Sequence, residues 1–191
     1  MIFKMNWYKK ANKDEQKQYF LDRTNKHIDR VQKASKKIVK KYPEFSDLIE
    51  QVKKHDSSKF KEPEMTPYVS LTWRKKPNKS KNDENDLLSE EKENEATMHH
   101  VKSNSHHPEC HLENKEDANI DPKDRNKSKK CVDATLMPDI DIAEMVADWQ
   151  SMSEELKTNT SREWFDEQKD TRWHFSKKQE KLIDKLLKAF E

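Results

Sequence analysis

The 191-residue sequence contains no glycine, and only 31% of its residues are apolar. Glycine is the residue that most easily adopts a positive φ, so tight two-residue hairpins are disfavoured without it. The same absence excludes a P-loop and a Rossmann dinucleotide fingerprint, because both motifs are defined by their glycines. A chain of this composition is expected to be built from α-helices.

Cysteine is scarce, and neither sign of charge dominates. Cys110 and Cys131 cannot form a disulfide framework, and this usage is typical of a reducing compartment. The 39 Lys and Arg residues nearly balance the 37 Asp and Glu residues, which leaves a formal net charge of +2. We therefore expect no specific nucleic-acid partner.

Long apolar runs are missing as well. The first ten residues lack the apolar core of a signal peptide. No segment approaches the roughly 20 consecutive apolar residues that a membrane-spanning helix requires. The sequence therefore predicts a soluble, cytoplasmic protein with no membrane partner.

Helical periodicity is what the sequence does contain. Apolar residues recur at steps of three and four from about Asp14 to Tyr42, which predicts one long amphipathic helix. A second helix is predicted to begin near Glu44 and to carry His55 and Asp56 on its last turn. Further helix starts are predicted by pairs of capping residues: Asp141 with Glu144, Thr160 with Glu163, and Ser176 with Gln179.

Two stretches are too polar to bury a core. Residues 75–95 and 113–135 consist mostly of charged and amide side chains, and such segments cannot offset the entropy lost on ordering. We expect both to be flexible insertions, and residues 1–15 to be an N-terminal tail. The remaining segments are predicted to form one all-α bundle: 16–74, 96–112 and 136–191.

Four residues with metal-ligating side chains lie on or beside the apolar stripes of the predicted helices: His27, His55, Asp56 and Asp148. A single histidine of this kind is ordinarily a hydrogen-bonded core residue. A carboxylate on a buried face is harder to explain, because its burial is costly without a partner. Together the four predict a site for a divalent transition metal, which prefers imidazole and carboxylate ligands.

Five of the eight histidines fall within residues 96–112, and four of them form the doublets His99-His100 and His106-His107. The doublets are seven residues apart, so one continuous helix would place a member of each on the same face. Pro108 would then end that helix. A solvated histidine-rich loop is an alternative.

A structural zinc site is a second alternative for this region. Its ligands would be His106 or His107 together with Cys110, His111 and Cys131, a spacing that matches no standard zinc finger. Lys59 follows Asp56 by about one turn and could reach a phosphate held on a metal, although lysine is ordinarily solvated. Glu62 and Glu64 are interpreted as surface carboxylates beside prolines.

The order of these residues resembles the HD-domain superfamily of metal-dependent phosphohydrolases. That pattern is a histidine, a His-Asp pair followed three residues later by lysine, optional further histidines, and a distal aspartate. The segments HDSSKF, MHHVKSNSHHPE and MPDIDIAEMVADWQSMS are also similar to a small helical family of unknown function, found chiefly in bacteria and phages. The resemblance implies an HD-type helical bundle.

The resemblance also implies roles for individual residues. His27, His55, Asp56 and Asp148 would bind a first metal ion, with Asp56 able to bridge to a second. One histidine of each doublet would complete the second site, and we take His100 and His106 as these ligands. Asp56, Lys59 and His107 would be the catalytic residues, the last two through phosphate contact or leaving-group protonation.

The implied function is hydrolysis of a nucleotide or another small phosphate ester by metal-activated water. The implied cofactor is one or two divalent ions of Mn, Co, Ni, Fe or Zn. A di-iron oxygenase on the same scaffold is one alternative, and a non-catalytic helical binding protein stabilised by zinc is another. Exposed aromatic side chains also suggest a homodimer.

Overall fold

The computed structural model describes residues 13–77, 87–118 and 131–191. These residues form an all-α fold, as the missing glycines predicted, with two short strands, β1 (Val132–Asp133) and β2 (Trp173–His174), that pair in parallel. The α-helices are α1 (Lys13–Lys41), α2 (Leu48–Gln51), α3 (Met65–Arg74), α4 (Glu90–Ser103), α5 (Asp139–Leu156), α6 (Ser161–Gln168) and α7 (Lys177–Leu187).

The core lies where α1 and α5 pack against each other and against α7. Val31 and Ile38 of α1, Ile142 and Val146 of α5 and Leu186 of α7 are all fully buried in one cluster. Full burial of a side chain of this size contributes about 1.5–3 kcal/mol. This packing fixes α1 and α5 side by side, and the histidine of one faces the aspartate of the other.

Two of the three expected capping pairs are confirmed. Thr160 with Glu163 opens α6, and Ser176 with Gln179 opens α7, each as a complete capping box. The third expectation was wrong, because α5 follows Pro138 without a side-chain cap. Asp141 and Glu144 are buried instead, with their carboxylates accepting hydrogen bonds from other parts of the chain.

The second predicted helix is broken into short pieces. A 3-10 turn (Pro43–Phe45), α2 and another 3-10 turn (Val52–Lys54) replace one continuous helix. His55 therefore lies just past the helical segment, and Asp56 adopts a left-handed conformation with φ 57 and ψ 13. The expectation that a helix delivers both residues on its last turn was wrong, because the helical turn ends at Lys54 and neither residue has helical backbone angles.

The boundary expected for the first insertion was also wrong. Helix α4 begins at Glu90, and the Ser89 side chain accepts a hydrogen bond from the backbone of Lys92 at its first turn. Buried Glu93 accepts hydrogen bonds from Ser70 and from Arg74, both on α3. Helix α3 thus supplies the partners that composition alone did not reveal.

The second polar stretch is ordered at both ends. A 3-10 turn covers Lys115–Ala118, and the backbone of Val132 donates to Arg172 where β1 begins. The centre of each expected insertion, and residues 1–12 of the expected tail, lie outside the described residues. Within the described part of the chain, none of the helices combines the length and apolar character needed to cross a membrane.

Candidate metal centre

Residues from five parts of the chain converge beside the α1–α5 contact. His27 comes from α1, Asp148 from α5, and His55 with Asp56 from the turn before α3. His100 comes from the end of α4, and His106 from the turn that follows α4. The structure thus brings together all six residues that the sequence and the resemblance nominated as ligands.

The first group surrounds one oxygen of Asp56. His27 Nε2 lies 3.1 Å from Asp148 Oδ1 and 3.4 Å from Asp56 Oδ2. His55 Nε2 lies 3.3 Å from His27 Nε2 and 3.8 Å from the same Asp56 oxygen. One ligand atom each from His27, His55 and Asp56 falls within a 4.8 Å cluster that could hold a metal ion.

The second group surrounds the other oxygen of Asp56. Oδ1 lies 3.1 Å from His100 Nε2 and 3.7 Å from His106 Nε2. His100, His106 and His107 form a further cluster that could hold a metal ion. Asp56 therefore stands between two histidine groups, with one carboxylate oxygen turned toward each.

The doublets reach the centre by a different route from the one expected. Helix α4 ends at Ser103, and the Asn104 side chain donates a hydrogen bond to the His100 carbonyl at 2.9 Å. A turn rather than a helix then carries His106 and His107 back toward His100. The prediction of one helix through both doublets was wrong, because the chain turns at Asn104.

Only one histidine of the first doublet lies at the centre, whereas both histidines of the second doublet do. The His99 side chain is 43% exposed, and its Nδ1 donates to Glu64 Oε1 at 2.8 Å. His100 faces the centre, as we expected of one member of that doublet. Both members of the second doublet join the cluster, with the rings of His106 and His107 4.2 Å apart.

Three of the imidazoles near the centre, those of His27, His55 and His100, are held from behind through Nδ1. Glu144 Oε1 accepts from His55 at 2.7 Å, and Glu64 Oε2 accepts from His100 at 2.9 Å. The Ser151 hydroxyl donates to the His27 carbonyl at 3.2 Å, so its oxygen accepts from His27 Nδ1 at 3.0 Å. Partners of this kind fix the tautomer and turn Nε2 inward, as in metal sites generally.

Sequence reasoning missed these supporting residues. Glu64 has 0% of its surface exposed, so its interpretation as a surface carboxylate was wrong. Its burial is offset by hydrogen bonds from His99, His100 and Ser58. The local sequence contains no pattern that predicts the burial of Glu64.

For the supporting residues on α5, the sequence does contain a pattern that could have identified them. Glu144 lies four residues before Asp148 and Ser151 lies three residues after it, so all three share one face of the helix. A glutamate and a serine on the face that carries a candidate ligand are natural candidates for its supporting partners.

Two buried acceptor atoms that face each other indicate that a metal ion fits at the centre. Asp56 Oδ1 and His100 Nε2 are both buried, and neither makes a hydrogen bond with any described residue. Because His100 donates through Nδ1, its Nε2 presents a lone pair toward a carboxylate oxygen 3.1 Å away. Two facing acceptors are costly unless a cation lies between them. The nitrogen and oxygen donor set suits a divalent transition metal.

Electrostatics at the centre follow from burial and close pairing. Burial disfavours the charged form of His27, but hydrogen bonds to Asp148 and Asp56 outweigh it and raise the pKa of His27 to about 9. Burial acts against ionisation of Asp56, yet Lys59 and His55 hold its pKa well below the usual range. The pKa of Asp148 is likewise lowered against burial, chiefly by the hydrogen bond to His27.

The second histidine group behaves in the opposite way. Burial, reinforced by the neighbouring imidazole of His55, holds the pKa of His106 well below its ordinary value. Burial and His106 do the same to the pKa of His107. Both rings are therefore neutral at physiological pH, which is the form that binds metals.

Lys59 and His100 contact different oxygens of the Asp56 carboxylate. Its ammonium group lies 2.6 Å from Asp56 Oδ2 and 5.1 Å from the ring centroid of Tyr68. Burial opposes its charge, but Asp56 outweighs burial and raises the pKa of Lys59, so the ammonium stays protonated. Lys59 lines a cavity of about 220 Å³ together with His27, Arg23 and Lys75.

The geometry does not support a structural zinc site that contains Cys110, His111 and Cys131. Cys131 Sγ donates to the Asp170 carbonyl at 3.1 Å, and His111 Nε2 donates to the Ser105 carbonyl at 2.7 Å. Among the described residues, none of the clusters that could hold a metal ion contains a cysteine. The second doublet faces Asp56 instead.

Comparison with known families gives one match, to a family model that covers residues 16–189. The chain belongs to DUF5662. This is a family of unknown function, which confirms the resemblance to a family of that kind. The match spans α1 to α7, so the whole candidate centre lies within the family's domain. No curated protein and no solved structure matches the chain significantly.

Proposed function

We propose that this protein is a metal-dependent phosphohydrolase of the HD type that acts on a nucleotide or another small phosphate ester. The observation that carries the proposal is the position of Asp56. Its two oxygens face two histidine groups, and the Lys59 ammonium lies 2.6 Å from Oδ2. The residues whose order along the chain resembles the HD superfamily are thus close together in space.

The donor set accommodates one or two divalent ions of Mn, Co, Ni, Fe or Zn. The ligands of a first ion would be His27, His55, Asp56 and Asp148, and those of a second would be Asp56, His100 and His106. A bound ion of this kind lowers the pKa of a coordinated water toward neutrality and so supplies the nucleophile. The supporting residues Glu64, Glu144 and Ser151 keep the imidazole Nε2 atoms directed inward.

The protein's own side chains would bind the phosphate group. Lys59 keeps its charge and lies at the edge of the centre, so its ammonium can contact a phosphate oxygen and offset developing negative charge. Arg23 and Lys75 line the same cavity; Arg23 is paired with Glu155, and Lys75 adds positive charge. Burial raises the pKa of Tyr68 to about 12, so its neutral phenol is available to the phosphate as a donor.

His107 has a narrower role than the resemblance implies. Its lowered pKa leaves it neutral, so it holds no extra proton to give to a leaving group. Its buried Nε2 has no hydrogen-bond partner among the described residues. We assign His107 to orientation of the substrate beside the metals and leave leaving-group protonation to water.

A metal-reconstitution screen tests the proposal. Protein stripped with a chelator is loaded separately with Mn, Co, Ni, Fe or Zn and assayed against nucleotides and simple phosphate esters. We expect release of inorganic phosphate with at least one metal and none with Asp56→Asn. Lys59→Met should keep its metal and lose most of the turnover, while Glu62→Gln, an exposed residue nearby, should behave as wild type.

Other outcomes favour the alternatives. Oxygen consumption by the iron-loaded protein, with no phosphate released from any ester, would replace the proposal with a di-iron oxygenase. Tight zinc binding with neither reaction, and a lower melting temperature for Asp56→Asn, would indicate a zinc-stabilised binding protein.

A further inference from the structure

A second cavity adjoins the candidate metal centre and is separate from the one that Lys59 lines, although Met152 of α5 borders both. Its volume is about 250 Å³, and it lies between α5, α6 and the loop that joins them. Asp148, His106 and His107 line one end of this cavity, so it opens directly onto the centre. A molecule reacting at the centre has this space beside it.

The other walls of the cavity are aromatic and apolar. Trp149 and Trp173 stack with ring centroids 5.7 Å apart and an interplanar angle of 18°. Both rings are almost fully buried, so they form a rigid wall. Trp164 is partly buried at the mouth, and Leu156 beside it is 54% exposed. The mainly apolar lining with a few polar groups at one end is typical of a small-molecule site.

Charge is distributed unevenly around the centre. The charged side chains that line this cavity are Asp148, at the metal end, and Arg172, whose guanidinium lies 4.1 Å from the Trp173 ring centroid and 3.5 Å from Glu109. The cavity on the Lys59 side carries Lys59, Lys75 and Arg23, with Arg23 paired to Glu155, the one acidic residue among the described residues in its lining. The Lys59 side is therefore suited to an anion, and the tryptophan side to an uncharged group.

We propose that the tryptophan-lined cavity binds the organic group of the substrate, and that this group is a single flat, aromatic, uncharged ring system. The assignment deepens the proposed phosphohydrolase function and rests on it. The phosphate would lie at the metal centre within reach of Lys59, and the ring would extend past Asp148 to lie against Trp164 and Leu156.

The size of the cavity further restricts which substrates it can bind. Sites for drug-sized ligands occupy roughly 300–1,000 Å³. At about 250 Å³ the cavity holds one ring system but not a whole nucleotide. It also lacks a cluster of cations for a second phosphate group. The preferred substrates are accordingly phosphate esters whose organic group is a single aromatic or heterocyclic ring system.

Two phosphate esters of equal charge test the assignment through catalysis. Benzyl phosphate should have a kcat/KM at least about tenfold above that of ethyl phosphate, because burial of an aromatic ring adds roughly 1.4 kcal/mol or more and the two alcohols are leaving groups of similar acidity. Trp164→Ala should reduce this ratio by about fivefold or more. The matched control is Leu136→Ala, which changes a 56% exposed leucine that does not line the cavity.

A binding measurement separates this assignment from the proposed function. Phenol and adenosine, which carry no phosphate, are titrated into the full-length protein while tryptophan fluorescence is recorded. Binding that Trp164→Ala weakens, without hydrolysis of any ester, would keep the cavity assignment and overturn the phosphohydrolase. Equal turnover of both esters, with no binding of either compound, would overturn the cavity assignment and leave the phosphohydrolase standing.

Discussion

The fully buried carboxylate of Glu64 accepts a hydrogen bond from Nδ1 of His100 at 2.9 Å. Burial alone would raise the pKa of Glu64, but the hydrogen bonds from His100 and His99 lower it, so the carboxylate is ionised. An ionised acceptor keeps the His100 proton on Nδ1 and leaves Nε2 free to bind a metal beside Asp56. Glu64 is thus a positioning residue for the second histidine group.

Glu64→Gln should weaken metal binding without unfolding the protein. The amide is a weaker acceptor and can also donate, so the His100 tautomer is no longer fixed. Loss of such a partner typically lowers metal affinity by about 10–100-fold. Competition with a chelating dye measures this, and Glu62→Gln, two residues away and exposed, is the matched control. Unchanged affinity in Glu64→Gln would remove this role.

Glu93→Gln should destabilise the fold although it lies in a stretch whose composition suggested a linker. The Glu93 carboxylate accepts from Ser70 Oγ at 2.7 Å and from Arg74 Nε at 3.0 Å. Weakening buried hydrogen bonds to a charged group costs about 1.5–3 kcal/mol. Urea unfolding measures the change against Glu91→Gln, an exposed position on the same helix. Equal stability of the two variants would contradict the docking of α4 onto α3.

Metal affinity should rise with pH up to about 9. The pKa of His27 is raised to about 9, because hydrogen bonds to Asp148 and Asp56 outweigh burial. Below that pH a metal must displace the His27 proton, so the apparent affinity should fall by about tenfold per pH unit. Dye competition from pH 6.5 to pH 9 checks the slope. A flat profile would show that His27 is not a ligand.

The two cysteines should take no part in metal binding. Burial raises the pKa of both Cys110 and Cys131, so both thiols remain protonated near neutral pH. A cysteine-containing zinc site would instead hold thiolates that chelation releases. We expect the Cys110→Ala, Cys131→Ala double variant to keep the metal content of wild type. We also expect a chelator to leave the rate of thiol labelling unchanged, and acceleration by the chelator would revive the zinc alternative.

The parts of the fold that depend on local signals could be predicted from the sequence. The periodicity between Asp14 and Tyr42 gave α1, and the capping boxes at Thr160 and Ser176 marked the starts of α6 and α7. The start of α4 could not be predicted, because it is stabilised by the contact of Glu93 with α3. Composition records the cost of ordering a polar segment but not the distant partner that offsets it.

In the candidate centre too, the residues placed by helical periodicity could be predicted, and those placed by turns or distant contacts could not. His27 and Asp148 lie on helices whose apolar stripes face each other, so their approach follows from periodicity. His106 and His107 approach through a turn at Asn104, and no helical spacing predicts that geometry. Glu64 escaped notice because its burial depends on His99 and His100, which lie more than thirty residues away.

The left-handed backbone of Asp56 has a consequence for how this protein can be altered. In a chain without glycine, Asp56 itself adopts the left-handed conformation between His55 and the 3-10 helix Ser57–Phe60. This conformation costs a residue with a Cβ about 1–2 kcal/mol, somewhat less for aspartate or asparagine. Glycine at this position would relax the backbone, but it would also remove the carboxylate that pairs with Lys59 and His27. Breaking a buried ion pair typically costs about 3–5 kcal/mol, which exceeds the strain that glycine would relieve, so stability and the candidate site both favour aspartate here.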